Sequence, residues 1–386
     1  MELIVVTSLD ALCRQQACED LAAARPGSIV VLHDLLENGT VVRRTFTGAG
    51  EIERGESFLE HGCLSCAVRL DLVPGIERLI QDSPGKGTPG PIIIGLAPAT
   101  PAHAAITALN EKLADRATVS SVILALAPDA LEDHIWDAHT LYESGFTPMV
   151  EDERTPGECL IGELAFADTV LVTEPEIVPP DPEGRERGLH LVRQLAPHAD
   201  LAASAKEVRP GRHHYLGSLA RTAPGTVPSD KVPSDKVPSG TVHGTDAERT
   251  GGAGTRDASP FTTVVQRVER PLHPGRFRQA LATLAEGCCV VRGHLWIASA
   301  PECRIAIHCV GPRIWLENTG AWDDVPATRV PAGNGMPAPA GTVITATGED
   351  LDAAEFGHLL TSCQLTDEEL ASGKNLHDPF GLEQAG

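Results

Sequence analysis

Residues 1–24 read MELIVVTSLDALCRQQACEDLAAA: an apolar run at 3–6 (LIVV), a short polar break, then a helix-like stretch to about Ala24. Pro26 and Gly27 interrupt the chain, and SIVVLHD (28–34) supplies a second apolar run. The same rhythm continues through IIIGL (92–96), SVILALAP (121–128) and DTVLVTEP (168–175), with helix-like stretches such as VRLDLVPGIERLI (68–80) between them. Apolar strands alternating with helices at this spacing predict an α/β domain, a mostly parallel sheet with helices on both faces.

The rhythm stops near residue 220. From 221 to 260 almost nothing is apolar, and the tandem repeat VPSDKVPSDKVPS (227–239) predicts a disordered Pro/Ser/Gly linker. Beyond it, FTTVVQRVER alternates as a strand and PGRFRQALATLAEG reads as a helix. CCVVRGHLWIAS, CRIAIHCVGPRIWLE and VITATG read as further strands, and AAEFGHLLTSCQ closes the chain as a helix. The expected division is an α/β domain over 1–220, a linker over 221–260 and a smaller α+β domain over 261–386.

Composition bounds the function. The 386 residues carry 31 basic and 53 acidic side chains, a net charge of −22. Such a field repels nucleic acid and anionic membranes and attracts cations. No apolar run reaches the length of a membrane span, and the N-terminal stretch has no basic region of the kind that opens a signal peptide. Ten cysteines without a secretory signal predict a cytoplasmic protein whose clustered thiols bind metal or do redox work. The tightest cluster is HGCLSCAVRLDL (61–72), where Cys63 and Cys66 stand two residues apart at a helix start. A metal clamp, a redox couple and two buried thiols are all open from spacing alone. His213-His214 reads as an exposed pair. Of Cys288-Cys289, adjacent in a strand, one is expected in the core.

Several segments together resemble the CobW-type GTPases, P-loop proteins associated with metal insertion and zinc homeostasis. HGCLSCAVRLDL is similar to that family's GC-x-CC-x-x-R-x-DL motif, with Cys63, Cys66, Arg69 and Asp71 in register. LHDLLENG (32–39) matches an acidic stretch after the second strand and places Asp34 and Glu37. GELAFADTVLVTEPE (162–176) resembles the strand leading to the guanine-reading loop. ERPLHPGRFRQAL, VRGHLWIA and LLTSCQLTDEEL resemble the family's C-terminal domain. The resemblance implies zinc as the metal, with Cys63, Cys66 and Glu37 as its ligands, His61 next in line, and a client protein met through the C-terminal domain.

One departure from the family pattern is Ser65, a poor zinc ligand where the motif has its third cysteine; the others fall on the nucleotide site. A P-loop wraps phosphates in glycine N–H groups, neutralises them with lysine and ligates Mg²⁺ through Ser/Thr. The equivalent stretch, VTSLDALCRQQA (6–17), has no glycine and no lysine; Arg14 is the one cation on offer, and Asp10 repels phosphate. The family's third-strand acid falls at Gly95, and its guanine-reading motif becomes Thr173-Glu174-Pro175-Glu176. These losses predict a protein with no catalytic residues and no GTP hydrolysis. An active GTP-dependent metallochaperone with a non-standard phosphate site is the alternative, and an interaction protein with inert or redox cysteines a further one.

Overall fold

The computed structural model describes residues 1–60, 62–82, 90–174, 177–227, 259–322, 340–372 and 376–382, and these divide into two compact units, Met1–Leu219 and Ala220–Gly386. Most of the expected linker (228–258), His61 and Glu176 lie outside the described residues.

In the first unit β1 (Glu2–Thr7) leads through three residues into α1 (Ala11–Ala24), and β2 (Ile29–Leu35) follows. A hairpin, β3 (Thr40–Thr47) and β4 (Gly50–Phe58), extends the sheet antiparallel from β2. A continuous helical run comes next: α2 (Leu64–Ala67), a π turn at Val68–Leu72 and α3 (Val73–Gln81). Then come β5 (Ile92–Gly95), α4 (Ala102–Leu113), β6 (Thr118–Leu126), α5 (Leu131–Trp136), α6 (Pro156–Phe166), β7 (Thr169–Val172), α7 (Pro182–Leu195) and β8 (Asp200–Ala202), and α8 (Tyr215–Thr222) runs through the boundary at Leu219.

The sheet order is β4-β3-β2-β5-β1-β6-β7-β8, parallel except for the hairpin. Central strands are buried on both faces, which is why they read as unbroken apolar runs. On one face Ile4, Val6, Leu32 and Ile93 pack against Ala17, Cys18 and Leu21 of α1. The alternate positions Leu3, Val5, Ile94 and Leu124 are equally buried, on the side where α4 and α6 contact β6. The architecture is the expected α/β sheet.

The second unit is an antiparallel sheet, β12-β11-β10-β13-β9, formed by β9 (Phe261–Val268), β10 (Cys288–Leu295), β11 (Cys303–Val310), β12 (Arg313–Ala321) and β13 (Thr342–Glu349). Helices α9 (Pro274–Ala285) and α10 (Ala353–Ser362) bury Phe277, Leu284, Phe356 and Leu360 against it, and the short α11 (Asp367–Ser372) follows. Cys288 and Cys289 are both buried, where one was expected inside: the register slips between Cys288 and Val290, so the pair does not alternate as in a regular strand. Contacts also run into the stretch expected to be linker, since Arg304 donates to the carbonyl of Gly225 at 2.8 Å and α8 continues to Thr222. Among the described residues no helix is long and apolar enough to cross a membrane.

Candidate metal site and the stretch after the first strand

The site lies at the hairpin edge of the first unit. The turn after β2 carries Glu37, exposed, and closes with Gly39 at φ +76°. A β-carbon on Gly39 would lie 2.5 Å from the Leu59 carbonyl oxygen, and one on Gly62 would lie 2.7 Å from Gly39 Cα. Two glycines thus let the Glu37 turn press backbone to backbone against the residue before Cys63. Cys63 caps the helical run: its sulfur accepts the Cys66 N–H at 3.2 Å. The two thiols are therefore gathered at one helix start. A side-chain hydrogen bond between the two thiols, then burial and the charge of Cys63, push the Cys66 thiol above its usual value, with Arg69 pulling the other way. Among the described residues no group of three or more His, Cys, Asp and Glu side chains comes together as a ready metal cluster.

The π turn sorts the next motif residues onto opposite sides. Asp71 turns inward, where its carboxylate accepts from Arg43 at 2.6 Å and from Ser57 at 2.9 Å, with His33 Nε2 at 3.5 Å. Burial alone would raise this carboxyl, but His33, Ser57 and Arg43 outweigh it and bring it down to about 2. Asp71 is a pin rather than a ligand: it ties the helix after Cys66 to the hairpin. Arg43, Ser57 and His33 were not visible as partners in the sequence. Arg69 turns outward and is exposed.

In the stretch that the resemblance aligns with a P-loop, the chain's own groups take the anion-binding positions. Ser8, Leu9 and Asp10 alone join β1 to α1, and Asp10 Oδ1 accepts the N–H groups of Leu12 and Cys13 at 2.6 and 2.9 Å. The helix N-terminus, where an anion would bind, already holds a carboxylate. Arg14, the cation on offer from the sequence, is not there. It is 1% exposed and turns to the ends of β2 and β5, donating to the carbonyls of His33 and Leu96 and to Asp34 at 2.7 Å. Gly95 makes room for it, since a β-carbon there would meet Arg14 Cδ at 3.3 Å and Leu32 Cδ2 at 2.7 Å. Asp34 is shared with Arg44 at 3.3 Å. His213 also differs from expectation: its ring is 3% exposed and stands 3.5 Å from Asp168, while His214 accepts the Gly217 N–H. The two histidines do not form one exposed pair.

The loop after β5 is clamped from α6 and from the segment before it. Glu163 accepts the Ala102 N–H at 3.0 Å, and Arg154 donates to the carbonyl of Ala99, which sits at φ +60°. Burial pushes the Glu163 carboxyl up to about 7, against the pull of the Ala102 N–H, Thr7 and Arg154. A folded pKa above the unfolded one gives stability that is present below about pH 4.5 and lost as pH rises through 7. Glu163→Gln is therefore expected to stabilise the first unit by about 1–3 kcal/mol at pH 8 and to flatten its stability between pH 5 and 8. Thermal unfolding across that range checks it; a variant whose profile parallels the wild type's would remove Glu163 as the cause.

Residues 261–364 match the family model of the cobalamin synthesis protein cobW C-terminal domain. Over 388 aligned residues the chain is 26% identical to the zinc chaperone Rv0106 of Mycobacterium tuberculosis, covering 92% of this chain and 87% of that protein. An uncharacterized Mycobacterium bovis protein, Mb0109, matches to the same extent. Among solved structures the Zn(II)-bound YjiA GTPase of E. coli aligns over 95% of this chain and 99% of its own, at 11% identity and a TM-score of 0.35.

Proposed function

Because this chain is a member of the CobW-type family, we propose that it handles zinc as cargo, taking it between Cys63 and Cys66 without hydrolysing GTP. The observation that carries this reading is the placing of both cysteines at one helix start, with the Cys63 sulfur accepting the Cys66 N–H and Gly62 packed against the turn that bears Glu37. Thiolates are soft donors, and two of them with an oxygen ligand suit the tetrahedral preference of zinc. The resemblance to a protein named a zinc chaperone supports the same metal. Two thiolates and an exposed carboxylate make an open, exchangeable site, suited to delivery or sensing more than to stapling a fold. The client is expected to be a protein met through the C-terminal domain.

Zinc must displace both thiol protons, and the Cys66 thiol is held high. Affinity therefore falls as pH drops. On the nucleotide side, the Asp10 carboxylate takes the first-turn N–H groups and Arg14 is committed to Asp34 and two carbonyls. Neither the cradle nor the charge for a triphosphate is left. Calorimetric titration is expected to give no binding of GTP and Mg²⁺ tighter than roughly millimolar, alongside competition-measured binding of one zinc. Micromolar GTP affinity would replace this reading with that of a GTP-dependent metallochaperone.

A further inference from the structure

Next to the cysteine pair, a cleft of 330 Å³ opens between the helical run and α4, and its walls include Ser65, Arg69, Thr100, His103, Ala104 and Thr107. Ser65 and Arg69 stand four residues apart, on one face of the helix that begins at Cys63. The opposite wall is the first turn of α4, which has no side-chain cap from Pro101 and no acid of its own. Glu163 takes the Ala102 N–H from behind, while the N–H of His103 carries no hydrogen bond among the described residues.

None of the lining residues is acidic, in a chain with 53 Asp and Glu. Arg69 is exposed and, among the described residues, makes no ion pair, although most arginines of this unit are tied to carboxylates or carbonyls. The cleft therefore presents one uncommitted guanidinium, hydroxyls and a positive helix end, with Val68, Pro101 and Ala104 as apolar flanks. A planar monoanion matches the guanidinium fork and is neutralised by it. A phosphate dianion would leave a second charge uncompensated inside a protein of net charge −22.

We propose that this cleft binds a carboxylate, held by Arg69 against the first turn of α4. The proposal deepens the zinc reading and rests on it only for its purpose: an acid anchored here stands beside the thiol pair, where a carboxylate from an acceptor protein or from a small zinc-carrying acid would meet the cargo. The carboxylate is the shared chemistry, and the two sources are separable.

The test uses zinc-free full-length protein, so that loss of the metal reading cannot mimic loss of this one. Propionate and an end-blocked peptide with a single internal glutamate are titrated at low ionic strength, with inorganic phosphate as the competitor anion. Saturable carboxylate binding is expected, weakened at least about tenfold in Arg69→Met and less in Arg69→Lys, which keeps charge but not the fork. Tighter binding of the peptide assigns the ligand to a protein side chain; tighter binding of propionate assigns it to a free acid. Arg69 is exposed, so both variants should unfold at the wild-type temperature and hold zinc with wild-type stoichiometry. Equal propionate affinity in wild type and Arg69→Met, no saturable carboxylate binding, or preference for phosphate overturns the proposal.

Discussion

Asp71→Ala is expected to destabilise the first unit by about 3 kcal/mol, because it leaves Arg43 in the interior with only the half-exposed Glu53 carboxylate, 3.7 Å away, as counter-charge. Arg43 is only 5% exposed, and β-carbons on Gly55 and Gly75 would come within 2.8 and 2.9 Å of its guanidinium atoms. The guanidinium is thus boxed in and cannot swing to water. Part of the loss is legible in the wild type's pH dependence. A carboxyl held at about 2 contributes roughly 2 kcal/mol that is present above its ordinary value near 4 and lost as pH falls toward 2. Glu163 works with the opposite sign and in a higher window, so the two are separable in one pH series. Hydrogen exchange of the β1 and β5 amides reports the first unit alone. A double variant, Arg43→Met with Asp71→Leu, should recover most of the loss, since an apolar pair of similar bulk removes both buried charges. If Asp71→Ala changes exchange by less than about 1 kcal/mol, the pin is not what ties the helix to the hairpin.

The parallel sheet was readable because its strands are buried on both faces, and an unbroken apolar run such as IIIG or VILAL has few alternatives at that length. The β3–β4 hairpin was not. β4, GEIERGESF, is exposed along most of its length and shows no apolar alternation. What fixes it is polar: Arg43 and Ser57 reach across to Asp71, and long-range ion pairs leave no periodic trace in a sequence. The π turn is equally silent, since its sequence VRLDL fits an α-helix as well. Arg14 shows the limit from the other side. Its position near the helix start suggested a charge for phosphate, and only the space at Gly95 reveals that it runs past β5 to Asp34. His213 was misjudged for the same reason, since Asp168, its buried neighbour, lies on a different element. By contrast Cys63 and Cys66 are close in sequence, and local spacing was enough to bring them together.

That pair carries the other large effect. Wild-type protein is expected to hold one exchangeable zinc, and Cys63→Ser with Cys66→Ser should weaken it by more than about a hundredfold, because hydroxyls do not replace thiolates toward a soft-tolerant cation. Competing thiols are poor rivals at neutral pH: burial pushes Cys18 and Cys159 up to about 12 and Cys13 to about 11, so they stay protonated. Glu37→Ala should cost less, since an exposed carboxylate on a turn can be replaced by water. The double variant should fold normally, because neither sulfur is in the core; what it loses locally is the cap that Cys63 makes to the Cys66 N–H, which a serine hydroxyl can supply. Zinc stoichiometry and affinity by chelator competition, repeated from pH 8 down to 6, give the full comparison. The wild type should lose affinity steeply over that range as protons compete with zinc for the sulfurs, and the double variant should show no such slope. Equal zinc retention in the two proteins would move the site elsewhere. A wild type that holds no zinc but forms a reversible Cys63–Cys66 disulfide would make the pair a redox couple.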